Sequence, residues 1–229
     1  MFIWKCFYEW NYPKPSKSVS WETFLRDARP GDIILISTNS VAAVFEEAFM
    51  NEPYSHVALV CEDQVTGNTC IAESSYISYV LDKFTNTLRD GPMIVDMQRR
   101  LEGFKENEGL RLDWRPLVGP VNRIHINNII WGEMRRFTHV KHNTNIPDLV
   151  SAAVPEVLKF PFCWSEHSKK KLDGMFCSEL TYYLLRKAGV CVEDIRKHRY
   201  NYAPLHFSEY YESIPFAQGV RLGKTINII

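Results

Sequence analysis

The sequence has no surplus of charge of either sign: 27 Lys and Arg stand against 27 Asp and Glu. Dedicated nucleic-acid binders neutralise phosphates with a basic excess, so no nucleic-acid partner is expected. No apolar run approaches the length that crosses a bilayer. The residues from Met1 to Trp10 are aromatic and carry Lys5 and Glu9. They lack the continuous apolar stretch and small-residue cleavage site of a secretory leader. Six cysteines, Cys6, Cys61, Cys70, Cys163, Cys177 and Cys191, show no Cys-x-x-Cys pair and no dense framework. A disulfide scaffold and a paired-cysteine zinc site are both disfavoured. Reduced thiols in a cytoplasmic setting are the expectation. There is no internal repeat or low-complexity segment, and the run Lys169-Lys170-Lys171 reads as a solvated loop.

What is present is a chain with 45% hydrophobic residues, enough for a sizeable core in a single domain over residues 1–229. Residues 11–20 read as a loop, and Ser20 as the N-cap of a short helix from Trp21 to Arg29. Ile33 to Ile36 is a buried strand. Ser40 to Met50 is patterned as a helix. His56 to Cys61 and Thr69 to Glu73 are strands joined by a turn at Thr66-Gly67, which makes Cys61 and Cys70 neighbours in a reduced core. A helix is predicted near Val80 to Leu88, a strand at Met93 to Val95, and an exposed charged loop over 103–119. Val121 to Ile126 alternates as a strand. Asn128 to Phe137 and Ile146 to Phe160 are helical patterns, and 161–174 is a polar loop. Cys177 to Ala188 is the clearest helix, with Arg186 and Lys187 in its last turn and Gly189 ending it.

Cys177 lies where a polar loop meets that helix. Unpaired N–H groups and partial positive charge at a helix start favour thiolate over thiol. They also stabilise the oxyanion formed when a thiolate attacks a carbonyl. The competing interpretation is a packed structural cysteine, because Cys177 shares a helix face with Leu180, Tyr183 and Leu184. A cysteine nucleophile needs a base, and the base needs a third group to orient it. His56 opens one strand and Glu73 ends the next. In a hairpin those positions are neighbours on one rim, so Glu73 could orient the imidazole. His139-x-x-His142, with His167 further on, lacks the spacing of a zinc site. No metal and no cofactor are expected. His125, His198 and His206 have no partner pattern.

The order Gly31-Asp32-Ile33-Ile34-Leu35, Ser55-His56-Val57-Ala58-Leu59-Val60, Ile71-Ala72-Glu73-Ser74 and Phe176-Cys177-Ser178-Glu179-Leu180 resembles the circularly permuted branch of the NlpC/P60 superfamily. That branch includes lecithin:retinol acyltransferase-like proteins, bacterial members and poxvirus proteins. In it the cysteine follows the histidine, as Cys177 follows His56. Phe160-Pro161-Phe162 and Tyr202-Ala203-Pro204 are looser matches. The resemblance covers mainly residues 30–80 and 160–205. It leaves a long insertion at about 90–150 and an aromatic N-terminal extension, 1–20, outside it.

The resemblance implies an α+β, papain-like fold: a small antiparallel sheet carrying His56 and Glu73, packed on the helix that bears Cys177. It implies a cysteine-dependent hydrolase or acyltransferase acting on an amide, ester or thioester through a thioacyl intermediate, with Cys177 as nucleophile, His56 as base and Glu73 as the polar third member. The substrate would be a peptide, an amide or a lipid. The alternative is an inactive module of the same fold serving as a binding or structural component, for example of a virion. For that role the aromatic residues Phe2, Trp4, Phe7, Tyr8 and Trp10 offer docking to a membrane surface or a protein. A viral particle is then a second setting beside the cytoplasm.

Overall fold

The computed structural model describes residues 15–38, 54–76, 78–108, 110–142, 174–193, 202–211 and 213–229. The predicted helices over 40–50 and 146–160, the polar loop up to residue 173 and the aromatic head lie outside them. In chain order the strands are β1 (Lys17–Val19), β2 (Ile33–Thr38), β3 (His56–Glu62), β4 (Thr69–Ser75), β5 (Gly91–Asp96), β6 (Leu110–Arg115), β7 (Leu117–Val118), β8 (Lys141–His142), β9 (Gly174–Met175), β10 (Arg221–Leu222) and β11 (Ile226–Ile228). The helices are α1 (Trp21–Asp27), α2 (Met97–Glu108), α3 (Arg123–Arg136) and α4 (Cys177–Lys187), with a 3₁₀ turn at Pro204–Phe207. The protein is therefore a mixed α+β fold.

The main sheet has seven strands in the order β1-β11-β6-β2-β3-β4-β5. It is larger than the small antiparallel sheet expected, and β1 pairs parallel with β11. The stretch 11–20 is thus not all loop, and the C-terminal residues contribute a strand between β1 and β6. Alternation sorts the apolar side chains onto two faces. Ile33, Leu35, Val57, Leu59, Cys61, Cys70, Ala72 and Ile94 pack with α3 and α4. Ile34, Ile36, Ala58, Val60, Ile71, Met93 and Val95 pack with α1 and α2. With both faces covered, the central strands read as continuous apolar runs.

Three expectations are corrected. The stretch 103–119 is no exposed loop: it holds the end of α2, all of β6, and β7. In β6, Leu112 and Trp114 face one core. Between them Asp113 accepts from Tyr54 Oη at 2.6 Å, Arg111 Nε at 2.8 Å and Asn227 Nδ2 at 2.9 Å. Arg115 donates to the carbonyls of Phe207 and Gly223. Paired this way, charged residues sit inside a sheet. Val80 to Leu88 is not helical but a series of turns. Buried Asp82 accepts from Thr85 N and Thr85 Oγ1 with one oxygen and from Ile94 N with the other. A side chain that satisfies nearby backbone in this way competes with a helix. The alternation at 121–126 is not a strand either, because Asn122 caps α3 by accepting from His125 N.

Asp32, at the entry to β2, joins the layers. It is 1% exposed and accepts from Arg29 N, Trp114 Nε1, Leu117 N and Arg123 Nη1 at 2.7–3.0 Å. Four donors converge on one buried carboxylate, so its removal strands the Trp114 indole N–H and takes the counter-charge from Arg123, which keeps only the carbonyls of Pro30 and Leu117. Asp32→Ala is expected to lower unfolding free energy by about 3–5 kcal/mol, read as a reduced urea midpoint; a change within 0.5 kcal/mol would show that the hub carries little.

Candidate functional site

The site forms at the rim where β3 begins and β4 ends. The β3–β4 ladder runs from Leu59↔Ala72 to Glu62↔Thr69. Toward the rim each strand holds its outer partner: Ile36↔His56 on β2, and Ser75↔Gly91 on β5. His56 and Glu73 project from this rim, and His56 Nε2 lies 2.6 Å from Glu73 Oε2. The hairpin geometry inferred from the sequence is the geometry observed. Helix α4 packs on β3 and β4 and brings its first residue, Cys177, to the same place.

Arg100 completes the constellation, and nothing in the sequence pattern marked it. It comes from α2, is 0% exposed, and donates from Nε to Glu73 Oε1 at 2.5 Å and from Nη2 to Ser75 Oγ at 2.9 Å. Its guanidinium lies 4.1 Å from the centroid of Phe104, whose ring also tilts against His56 at 6.0 Å. Glu73 is therefore a fully buried carboxylate held between a guanidinium and an imidazole.

These contacts set the protonation states. Burial raises the Glu73 pKa, but the charge of Arg100 and then the bond and charge of His56 outweigh it and hold the carboxyl at about 2. Burial likewise lowers the His56 pKa. The charge and hydrogen bond of Cys177, followed by those of Glu73, outweigh that and raise it to about 10. At neutral pH Glu73 is ionised and His56 is an imidazolium, so Nε2–H donates to Glu73. The other ring nitrogen is left for Cys177.

Cys177 is 8% exposed and belongs to the core cluster, so the packing seen in the sequence is real and coexists with the histidine contact. The N-cap residue, Phe176, gives α4 no side-chain hydrogen bond. Farther along, Thr181 Oγ1 donates to Cys177 O at 2.9 Å, and Ser178 Oγ donates to Tyr202 O at 2.5 Å, so the helix start is fixed to the 202–207 segment. Burial pushes Cys70 up to about 12 and drives Cys61 and Cys191 upward. Cys61 and Cys70 are cross-strand partners, the neighbours that the hairpin reading predicts, and both are free.

His142 is a second histidine at the site. It lies on β8, paired with Met175 on β9. Its ring stands edge-on to Phe176 at 6.1 Å, and its Nδ1 is 3.2 Å from Ser74 Oγ. The sequence offered it only as half of a His-x-x-His pair. Among the described residues no group of three or more His, Cys, Asp or Glu could hold a metal ion, and no helix is long and apolar enough to cross a membrane.

No family model matches the chain, and no curated protein matches it. Among solved structures, the metalloprotein yiiX of Escherichia coli O157:H7 is similar over 85% of this chain and 96% of its own, with 14% identity and a TM-score of 0.46.

Because the folded state holds Glu73 far below its ordinary value of 4.5, ionisation of Glu73 stabilises the fold above about pH 4.5, and this contribution is lost as pH falls through about 2. Glu73→Gln removes this contribution. The stability advantage of wild type over Glu73→Gln is expected to shrink by roughly 3 kcal/mol between pH 6 and pH 2, measured by urea unfolding at each pH. A constant difference would show that the carboxylate is not held this way.

Proposed function

We propose that this chain is a cysteine-dependent hydrolase or acyltransferase with a papain-like site of the permuted NlpC/P60 kind. The observation that carries the reading is the buried Arg100–Glu73–His56 chain ending on Cys177 at a helix start. A nucleophile, a charged imidazole beside it, and a carboxylate fixing the imidazole make up the working parts of a thiol acyl-transfer site.

The Cys177 thiolate attacks the carbonyl of an amide, ester or thioester. The oxyanion forms against the N–H groups at the start of α4, where the helix dipole favours negative charge. Protonated His56 delivers its proton to the leaving group, and the tetrahedral intermediate collapses to a thioacyl enzyme. Water or another acceptor then releases the acyl group and regenerates the ion pair. Glu73 keeps the His56 ring in register, and Arg100 keeps Glu73 ionised and in place.

A substoichiometric thiol-directed acylating probe is expected to label wild type at Cys177 and to label Cys177→Ala at least tenfold more slowly, by peptide mapping. Labelling spread evenly over the cysteines, and unchanged in Cys177→Ala, would instead favour an inactive module on this fold. A second measurement follows from His56, which must carry a proton to protonate the leaving group. With amide or alkyl-ester substrates, kcat/KM is expected to hold through neutral pH and fall as pH rises through about 10. In Glu73→Gln that alkaline limb moves to lower pH, because a group that raises the imidazole pKa is gone. An alkaline limb that stays where it was would remove Glu73 from its assigned role.

A further inference from the structure

Among the described residues, His142 is a titratable side chain at the rim that the mechanism above leaves unused, and its surroundings decide where its proton sits. Ser74 Oγ lies 2.5 Å from Met175 O. A carbonyl only accepts, so the single hydroxyl hydrogen of Ser74 points there. Toward His142 Nδ1, at 3.2 Å, Ser74 Oγ can then only accept. The imidazole is thereby fixed as the Nδ1–H tautomer, and its Nε2 carries the lone pair.

The position is built rather than incidental. Arg89 Nη2 donates to Val140 O at 2.9 Å and to Phe137 O at 3.3 Å, which anchors the segment leading into β8. Gly91, at φ +91, lets β5 approach that segment so closely that a Cβ would lie 2.3 Å from Val140 O. The register His142↔Met175 then sets the ring beside the residues that lead into Cys177. Burial, and after it the charge of His56, lower the His142 pKa to about 4 against the opposing charges of Asp90 and Glu73. The rim thus holds one imidazole that is charged and one that is neutral.

We propose that His142, through its Nε2 lone pair, takes up the acyl acceptor: it binds the O–H of water or of a hydroxyl-bearing acceptor and receives its proton as the acceptor attacks the thioacyl carbonyl on Cys177. This rests on the function proposed above and divides its two half-reactions between two histidines. The acceptor oxygen forms a bond to the acyl carbon, and the C–S bond breaks to return the Cys177 thiolate. The acceptor proton passes to His142 Nε2 and from there to solvent. His56, which gave its proton to the leaving group, regains one from solvent beside the restored thiolate. No oxidant, reductant or further reactant is needed.

The test uses 4-nitrophenyl acetate, whose leaving group needs no proton, with the full chain as wild type, Cys177→Ala and His142→Asn. An Asn amide can still donate to Ser74 Oγ but has nothing at the Nε2 position. His142→Asn is expected to keep a burst of one 4-nitrophenolate per protein, to slow in steady-state turnover by about 10²- to 10⁴-fold, and to accumulate acetyl-Cys177 by mass spectrometry. Unchanged turnover overturns the proposal. So does an equal loss of burst and turnover, which would mean that His142 only shapes the site. A wild type without a Cys177-dependent burst overturns the underlying function instead, and the Cys177→Ala control identifies that outcome. Should His142→Asn fail to fold, the ¹⁵N shifts of the wild-type imidazole decide: Nδ1–H with unprotonated Nε2 is expected, and Nε2–H overturns the assignment.

Discussion

A carboxylate with no exposure to water is costly unless its charge is met on every side, and Glu73 sits at the centre of the rim under that constraint. Arg100 meets one oxygen and His56 the other. The consequences spread outward from there. Arg100 must be delivered from the α2 side of the sheet, so α2 has to lie across β4 and β5. The imidazole must be delivered from the first residue of β3, so the β2–β3 pairing must reach the rim. Neither partner can be withdrawn without leaving a buried charge, and this couples the packing of α2 to the state of His56.

The two faces of the sheet divide the work at this point. The α1–α2 face supplies the charge-setting groups, Arg100 and Phe104. The α3–α4 face supplies Cys177 and its supports, which tie α4 to Tyr202 and, through Ser74, tie β4 to β9. The imidazole of His56 connects the two. Rigid elements hold every member of the constellation: strands hold Glu73, His56, Ser74 and His142, and helices hold Arg100 and Cys177.

The hairpin carrying His56 and Glu73 could be found from the sequence because its strands are short apolar runs around a Thr-Gly turn, and hairpin pairing follows from turn position. The start of α4 could be found because a polar stretch gives way to an apolar helical face closed by Gly189. Arg100 could not, since it meets Glu73 from 27 residues away and an arginine on a charged helix looks like any solvated one. The misassignment of β6 has the same cause. Arg111, Asp113 and Arg115 alternate with Leu112 and Trp114, and only the partners Tyr54, Asn227 and the carbonyls of Phe207 and Gly223 make that polar row compatible with burial. His142 was visible merely as a histidine, because the Ser74 hydroxyl that fixes its tautomer is distant in sequence.

The short parallel bridge of β8 with β9 clamps both ends of the stretch 143–173 side by side, at His142↔Met175. That one pairing positions His142 and the residue two before Cys177 together, so a single step of register slip between β8 and β9 would displace the second imidazole relative to the nucleophile while leaving the His56–Glu73 pair where it is.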